Sequence, residues 1–242
     1  MRRKAWMQHR RNPQAEIAKF NELAHRWWDP DGPSRALHEL NPQRVAFVCA
    51  RIALKGARVL DLGCGGGILT EALATEGADV LGIDAAGEQI EIARLHALES
   101  GSKAQYRHVD AAQLAAEQPA SFDAICCMEM LEHVEQPERV LAACATLLKP
   151  GGQLFLSTIN RNARSFALAI VAAEHVLNLL PKGTHRHAMF IRPSELATGL
   201  RHAGFELRTL EGLKYDPFRR KAWRNSDVGV NYLAHAEKVV VG

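Results

Sequence analysis

No stretch of this chain reaches the roughly 18 consecutive apolar residues that a membrane-spanning helix needs, which excludes an integral helical membrane protein. The basic start at Arg2, Arg3 and Lys4 is not followed by an apolar run, so no secretory leader is expected. The cysteines at 49, 64, 126, 127 and 144 are odd in number and include no Cys-x-x-Cys pair. A disulfide framework is therefore not expected, and reduced thiols in a cytoplasmic compartment are. Charge of one sign is also scarce: 30 Lys and Arg stand against 27 Asp and Glu, too small an excess to argue for a nucleic-acid partner. Internal repeats and low-complexity segments are absent, which removes solenoids and disordered scaffolds. The 242 residues are enough for one α/β domain with a full core.

The most informative segment is Val59-Leu60-Asp61-Leu62-Gly63-Cys64-Gly65-Gly66-Gly67, followed by a helical pattern at Ile68, Leu69, Ala72 and Leu73. Strand, glycine turn and helix in this order let backbone approach a ligand with no Cβ in the way. A second apolar run, 79–83, ends on Asp84, where a carboxylate can accept from both ribose hydroxyls of a nucleoside. A dinucleotide fingerprint needs Gly-x-Gly-x-x-Gly. Counting from Gly63 the third position is Ile68, and from Gly65 it is Thr70, so neither register fits. Asp61-x-Gly63-x-Gly65-x-Gly67 instead resembles the S-adenosylmethionine (SAM) signature of class I methyltransferases; a tight turn with no ligand is the bland alternative.

Periodicity predicts an amphipathic helix over 16–28, stopped by Pro30, Gly32 and Pro33, and a helix from Asn41 (cap) and Pro42 (first turn) through Ile52. Strands are predicted at 58–62, 79–83, 104–109, 122–127 and 152–158, with Pro150-Gly151-Gly152 turning into the last of these. Helices are predicted near 67–76, 87–100 and 136–148. An insertion over 161–190, a helix at 193–203 and strands at 205–213 and 230–241 complete the chain. Alternating β and α implies an α/β, Rossmann-like, seven-stranded and mostly parallel sheet with helices on both faces, an N-terminal helical extension, and a helical insertion after the fifth strand. The expected division of this single 1–242 domain is an extension over 1–55, a SAM-binding core over 56–160, an apolar lid over 161–192 and a closing unit over 193–242.

In open α/β sheets the chemistry lies beyond the carboxyl ends of the strands. There the fourth strand runs into Glu129-Met130-Leu131-Glu132-His133-Val134. On a helical turn Glu129, Glu132 and His133 would share one face. Three readings stay open: a polar helix start; His133 as a general base, its ordinary pKa lying near neutrality; or Glu129, Glu132 and His133 as ligands to a divalent metal such as Mg²⁺.

Several segments together closely resemble the ubiquinone-biosynthesis O-methyltransferases. Besides the glycine segment they include Glu16 to Phe20, Trp27-Trp28-Asp29-Pro30, Leu37-His38, Asn41-Pro42-x-Arg44, Leu95 to Gly101 and Cys127 to Val134. Later in the chain come Lys149 to Gly152, Ser157 to Asn162, Pro181-Lys182-Gly183-Thr184-His185 and Gly229 to Tyr232. The likeness runs from residue 15 almost to the end; the first 14 residues match nothing, and His187 falls where no fixed residue is expected. It implies methyl transfer from SAM to the phenolic hydroxyls of a 2-polyprenyl-6-hydroxyphenol and of a 3-demethylubiquinol. Carried over by position, it implies that Arg44, Gly63, Gly65, Asp84 and Met128 contact SAM, with Asp110 a looser candidate near the adenine. Related small-RNA methyltransferases carry a metal-binding Glu-x-x-Glu-His segment, which points to the same three residues, and His185 is a further candidate ligand. The chemistry suits the residues, because a phenol with a pKa near 10 must be deprotonated to attack.

A polyprenyl substrate lives in a bilayer. Phe166, Ile170, Ala173, Leu177 and Leu180 form an apolar stripe at helical spacing within 165–180, about 24 Å of helix, flanked by Arg161, Arg164, Lys182 and Arg186. Two readings stay open, a helix in an anionic membrane interface and a lid packed on the sheet. The basic cluster Arg2, Arg3, Lys4, Arg10 and Arg11 adds a candidate electrostatic contact, or is a solvated tail. A cytoplasmic protein, peripheral on the inner face of the membrane and with a ubiquinone-biosynthesis complex as candidate partner, is the expectation. The rival functions are an RNA-end methyltransferase of the same fold and a non-catalytic SAM- or lipid-binding component.

Overall fold

The computed structural model describes residues 26–166 and 187–240. Parallel strands β1 (Arg58–Leu62), β2 (Asp79–Asp84), β3 (Gln105–His108), β4 (Phe122–Met128) and β5 (Leu148–Ile159) alternate with helices α2 (Ile68–Thr75), α3 (Gly87–Ser100), α4 (Ala111–Glu117) and α5 (Pro137–Leu147). Helix α1 (Arg35–Cys49) precedes this core; α6 (Pro193–His202) and strands β6 (Phe205–Asp216), β7 (Lys221–Asn225) and β8 (Asn231–Lys238) follow it. The sheet order is β3-β2-β1-β4-β5-β8-β6-β7. Pairing is parallel from β3 to β5, and β8 runs antiparallel to both β5 and β6. Strand order reverses between β1 and β4, so a crevice for ligand opens at their carboxyl ends.

Side-chain alternation divides the core between the two faces. In β4, Phe122, Ile125 and Cys127 join α4, α5 and α6 on one face. Ala124, Cys126 and Met128 join α1 and α2 on the other. All five cysteines are free thiols, four of them buried; burial raises Cys144 to about 12.

The structure departs from the sequence reading in several places. The sheet has eight strands rather than seven, because β6 runs to Asp216 and turns back as β7. Helix α4 was not predicted; it is short and buries only Leu114 and Ala115, too little for a visible stripe. Helix α1 starts at Arg35 and carries Pro42 inside it, instead of starting at Asn41. Proline removes one rung of the ladder. Burial of Leu40, Asn41, Arg44, Phe47 and Val48, a helical repeat, holds the helix through that gap. The Pro-Gly-Gly turn lies within β5, where the register against β4 jumps from Phe122↔Leu148 to Ala124↔Gln153. Arg26, Trp27 and Trp28 lie in a turn, and residues 16–25 of the predicted helix fall outside the described residues, as do the N-terminal basic cluster, Lys182, His185 and Arg186. Of the insertion, the described part is a helical turn, Ala163–Ser165, capped by Asn162, together with Phe166 and the residues from His187 onward.

Candidate active site

Between β1 and α2 the chain turns through Gly63, Gly65 and Gly67, at φ of 76°, 52° and 94°. Only glycine adopts this region freely, so three positive angles in five residues require the glycines. The turn is crowded as well as strained. A Cβ on Gly63 would stand 2.7 Å from Met130 Cγ, and one on Gly65 or Gly66 would collide with the Trp27 indole. Tyr106 closes the turn from the side of Gly67 and Gly82.

Two carboxylates brace the turn. Asp61 accepts from Thr70 Oγ1 at 2.6 Å, tying β1 to α2. Burial raises Asp61 to about 6, against the Thr70 bond and the Arg44 charge. Asp84, at the end of β2, accepts from the backbone N–H of Gly65 at 3.0 Å and of Ala86 at 2.8 Å. Burial raises it too. Each oxygen keeps a second acceptor position, so a ribose diol can still be bound. Asp110 caps α4, its Oδ1 accepting from Gln113 N–H at 2.8 Å, and is exposed.

The end of β4 lies against the same turn. Met128 is the last strand residue, and Met130 packs on Gly63. Glu129 has a φ of 54°, unusual for a non-glycine residue. Two contacts hold it there. Its N–H donates to the Ser157 carbonyl at 3.0 Å, and Ser157 Oγ donates to its Oε1 at 2.8 Å. Arg44, buried in α1, reaches Glu129 Oε1 at 3.4 Å. Leu131–His133 is a 3₁₀ turn, so the expected α-helical face for Glu129, Glu132 and His133 is not formed. Glu132 is buried and accepts from Thr158 Oγ1 at 2.8 Å. Burial, with the Glu129 charge behind it, raises Glu132 to about 8, which favours its neutral form. His133 is half-buried and closes the 3₁₀ turn that follows β4.

The structure therefore brings Arg44, Gly63, Gly65, Asp84, Met128, Glu129 and His133 to the carboxyl ends of β1, β2 and β4, and sets Asp110 beyond β3. Among the described residues no group of three His, Cys, Asp or Glu side chains is arranged to hold an ion. Glu132 accepts from Thr158, Glu129 accepts from Ser157 beside Arg44, and the two carboxyls lie against each other. Trp27, Met130, Ser157 and Thr158 all lie in segments that carry the family resemblance, but the sequence assigns none of them a role in the site; only their packing does.

The site fits SAM on its own features. The glycine turn is bare backbone on which Trp27, Met130 and Tyr106 close. The buried Trp27 Nε1 and Arg44 Nε point to a polar ligand, since neither has a hydrogen-bond partner among the described residues. Fold and site together define a SAM-dependent methyltransferase of class I. A family model described as a methyltransferase domain matches residues 34–210. The ubiquinone biosynthesis O-methyltransferase of Xanthomonas euvesicatoria pv. vesicatoria is 56% identical over 225 residues, 93% of this chain and 94% of that protein. The protein of the same name from Leptothrix cholodnii is 54% identical, covering 92% and 96%. The chain belongs to the family of ubiquinone biosynthesis O-methyltransferases. Solved structures show the same fold. The 1,6-didemethyltoxoflavin-N1-methyltransferase of Burkholderia thailandensis, with bound S-adenosylhomocysteine, has a TM-score of 0.64 at 20% identity, covering 96% of this chain and 92% of that one. Magnesium protoporphyrin IX methyltransferase from Synechocystis PCC 6803 has a TM-score of 0.61 at 20% identity, covering 98% and 91%.

Proposed function

We propose that this enzyme methylates the phenolic hydroxyls of polyprenylated ubiquinone precursors, a 2-polyprenyl-6-hydroxyphenol and a 3-demethylubiquinol. The observation that carries the reading is the seating of the β4 end on the glycine turn, with Met130 against Gly63 and His133 three residues on. It supports reading His133 as the base near the donor crevice. The names of the relatives support the substrate class.

SAM supplies a methyl group already activated on a sulfonium, so the protein must orient it and make a phenolate. Gly63 and Gly65 let the donor onto the backbone, and Asp84 accepts from its ribose. Met128 lines the crevice at the end of β4, and Asp110 stands near the adenine end. Arg44 contributes positive charge held in place by Glu129. His133 takes the phenol proton. Glu129 and Glu132 position the loop that carries it, one through Ser157 and the other through Thr158. A divalent ion such as Mg²⁺ would join this site only if Glu132 gave up Thr158 and its proton. Membrane contact through the stripe at 166–180, on the cytoplasmic side, suits a substrate with a polyprenyl tail. A ubiquinone-biosynthesis complex is a further partner that such a substrate would suit.

The test is methyl transfer from labelled SAM to a short-tailed demethylubiquinol, with EDTA or added Mg²⁺, beside His133→Ala. Activity indifferent to EDTA and reduced about 10²–10⁴-fold in His133→Ala is the expected result. Loss with EDTA and recovery with Mg²⁺ would restore the metal. Failure to methylate either phenol, with SAM bound, would sink the substrate assignment.

A further inference from the structure

Two adjacent indoles sit on the glycine turn and differ in one respect. Trp28 Nε1–H donates to the Gly66 carbonyl at 2.8 Å, and its ring stacks on His96 at 3.4 Å and 3°. His96 Nδ1 lies 2.8 Å from Glu71 Oε1, so the stack is anchored between α2 and α3. Trp27 is only 7% exposed, yet its Nε1–H has no partner among the described residues. Buried indole N–H groups nearly always find an acceptor. Its backbone is held in place: His38 Nε2 lies 2.9 Å from the Trp27 carbonyl, and Trp28 is fixed next to it.

The edge of the Trp27 ring that faces the turn is the one bearing nitrogen. The atoms nearest a Cβ on Gly66 are Cδ1, Cγ and Nε1; those nearest one on Gly65 are Cζ2, Cη2 and Cε2. Arg44 Nε is also buried without a hydrogen-bond partner among the described residues. Two buried N–H donors left unpaired near a glycine turn suit an anionic group.

We propose that Trp27 is a donor-binding residue whose Nε1–H donates to the carboxylate at the amino-acid end of SAM. The inference rests on the reading of the glycine turn as the methyl-donor site, and it assigns the ligand atom that completes the Trp27 hydrogen bond. Trp28 then has the supporting role of holding Trp27 on the turn.

Trp27→Phe keeps a ring and deletes the N–H. Titration calorimetry with S-adenosylhomocysteine and with 5′-methylthioadenosine, which lacks the carboxylate arm, separates the two contributions. The expected result is a loss of about ten-fold or more in affinity for S-adenosylhomocysteine, with methylthioadenosine binding changed less than about two-fold. Equal weakening of both ligands would make Trp27 a packing residue only, and no weakening of either would also overturn the proposal. Should the variant fail to fold, the wild-type chain serves. A buried indole ¹⁵N–H resonance is expected to shift with S-adenosylhomocysteine and not with methylthioadenosine, and the absence of that difference would overturn the proposal. If the wild-type chain bound neither ligand, the donor reading of the turn would itself fall, which is a distinguishable result.

Discussion

Glu132 stores a proton that an unfolded chain would release. Its folded pKa of about 8 lies above the ordinary 4.5, with burial as the main cause. Between those values the folded state binds more protons than the unfolded one, so stability is full below about 4.5 and falls as pH rises through about 8. The slope approaches about 1.4 kcal/mol per pH unit at most. Glu132→Gln keeps an acceptor for Thr158 and removes the titration. Urea midpoints of the variant are expected to gain on wild type steadily from pH 5 to 8, and parallel curves would show that Glu132 is not the titrating group. Asp61 adds a shallower trend of the same sign, since burial raises it to about 6. At this scale the candidate site was only partly legible. The spacing of Glu129, Glu132 and His133 marked them as chemistry-bearing, but spacing does not say that a carboxyl faces a buried threonine.

Among the elements, α4 gives Asp110, a candidate contact near the adenine, a second role as helix cap. Its Oδ1 accepts from the Gln113 N–H at 2.8 Å. Asp110→Ala is expected to cost about 1 kcal/mol of stability from the lost cap. If the residue also contacts the donor, SAM affinity will fall by more than that loss of stability explains, and calorimetry beside thermal melts separates the two. The glycine turn and the β1, β2 and β4 ends were read correctly because their signals are local: a β-branched and leucine run, glycines where φ must be positive, and a carboxylate at a strand end. Helix α1 was misjudged by six residues, since a proline that usually opens a helix is carried inside one by packing on α2 and β7.

For the whole molecule, the ordering of layers sets the direction of the active site. The insertion leaves the sheet at the carboxyl end of β5, on the same side as the glycine turn and the β4 end. A membrane contact made there would bring the donor crevice toward the bilayer that holds a polyprenyl substrate. Phe166, at the start of the insertion, is 45% exposed. Among the described residues no helix is long and apolar enough to cross a membrane. Flotation with vesicles containing anionic lipid is expected to recover the wild-type chain and to lose a chain with Phe166, Ile170 and Leu177 changed to Asp. Equal flotation of both would refute contact through this stripe.

Sequence alone determined the α/β class, strands β1 to β5 with helices α2, α3 and α5, the glycine turn and the acidic residue that faces it. Each of these depends on neighbours within a few positions, where periodicity, φ and side-chain chemistry act directly. Tertiary structure alone decided that Glu132 is buried against Thr158 with its pKa raised, and that β7 adds an eighth strand. It also decided that Trp27 lies on Gly65 and Gly66 with its N–H unpaired among the described residues. Those outcomes depend on burial and on partners 26 to 39 positions away, Thr158 for Glu132 and Gly66 for Trp27. Desolvation and packing at that range leave no mark on a local pattern.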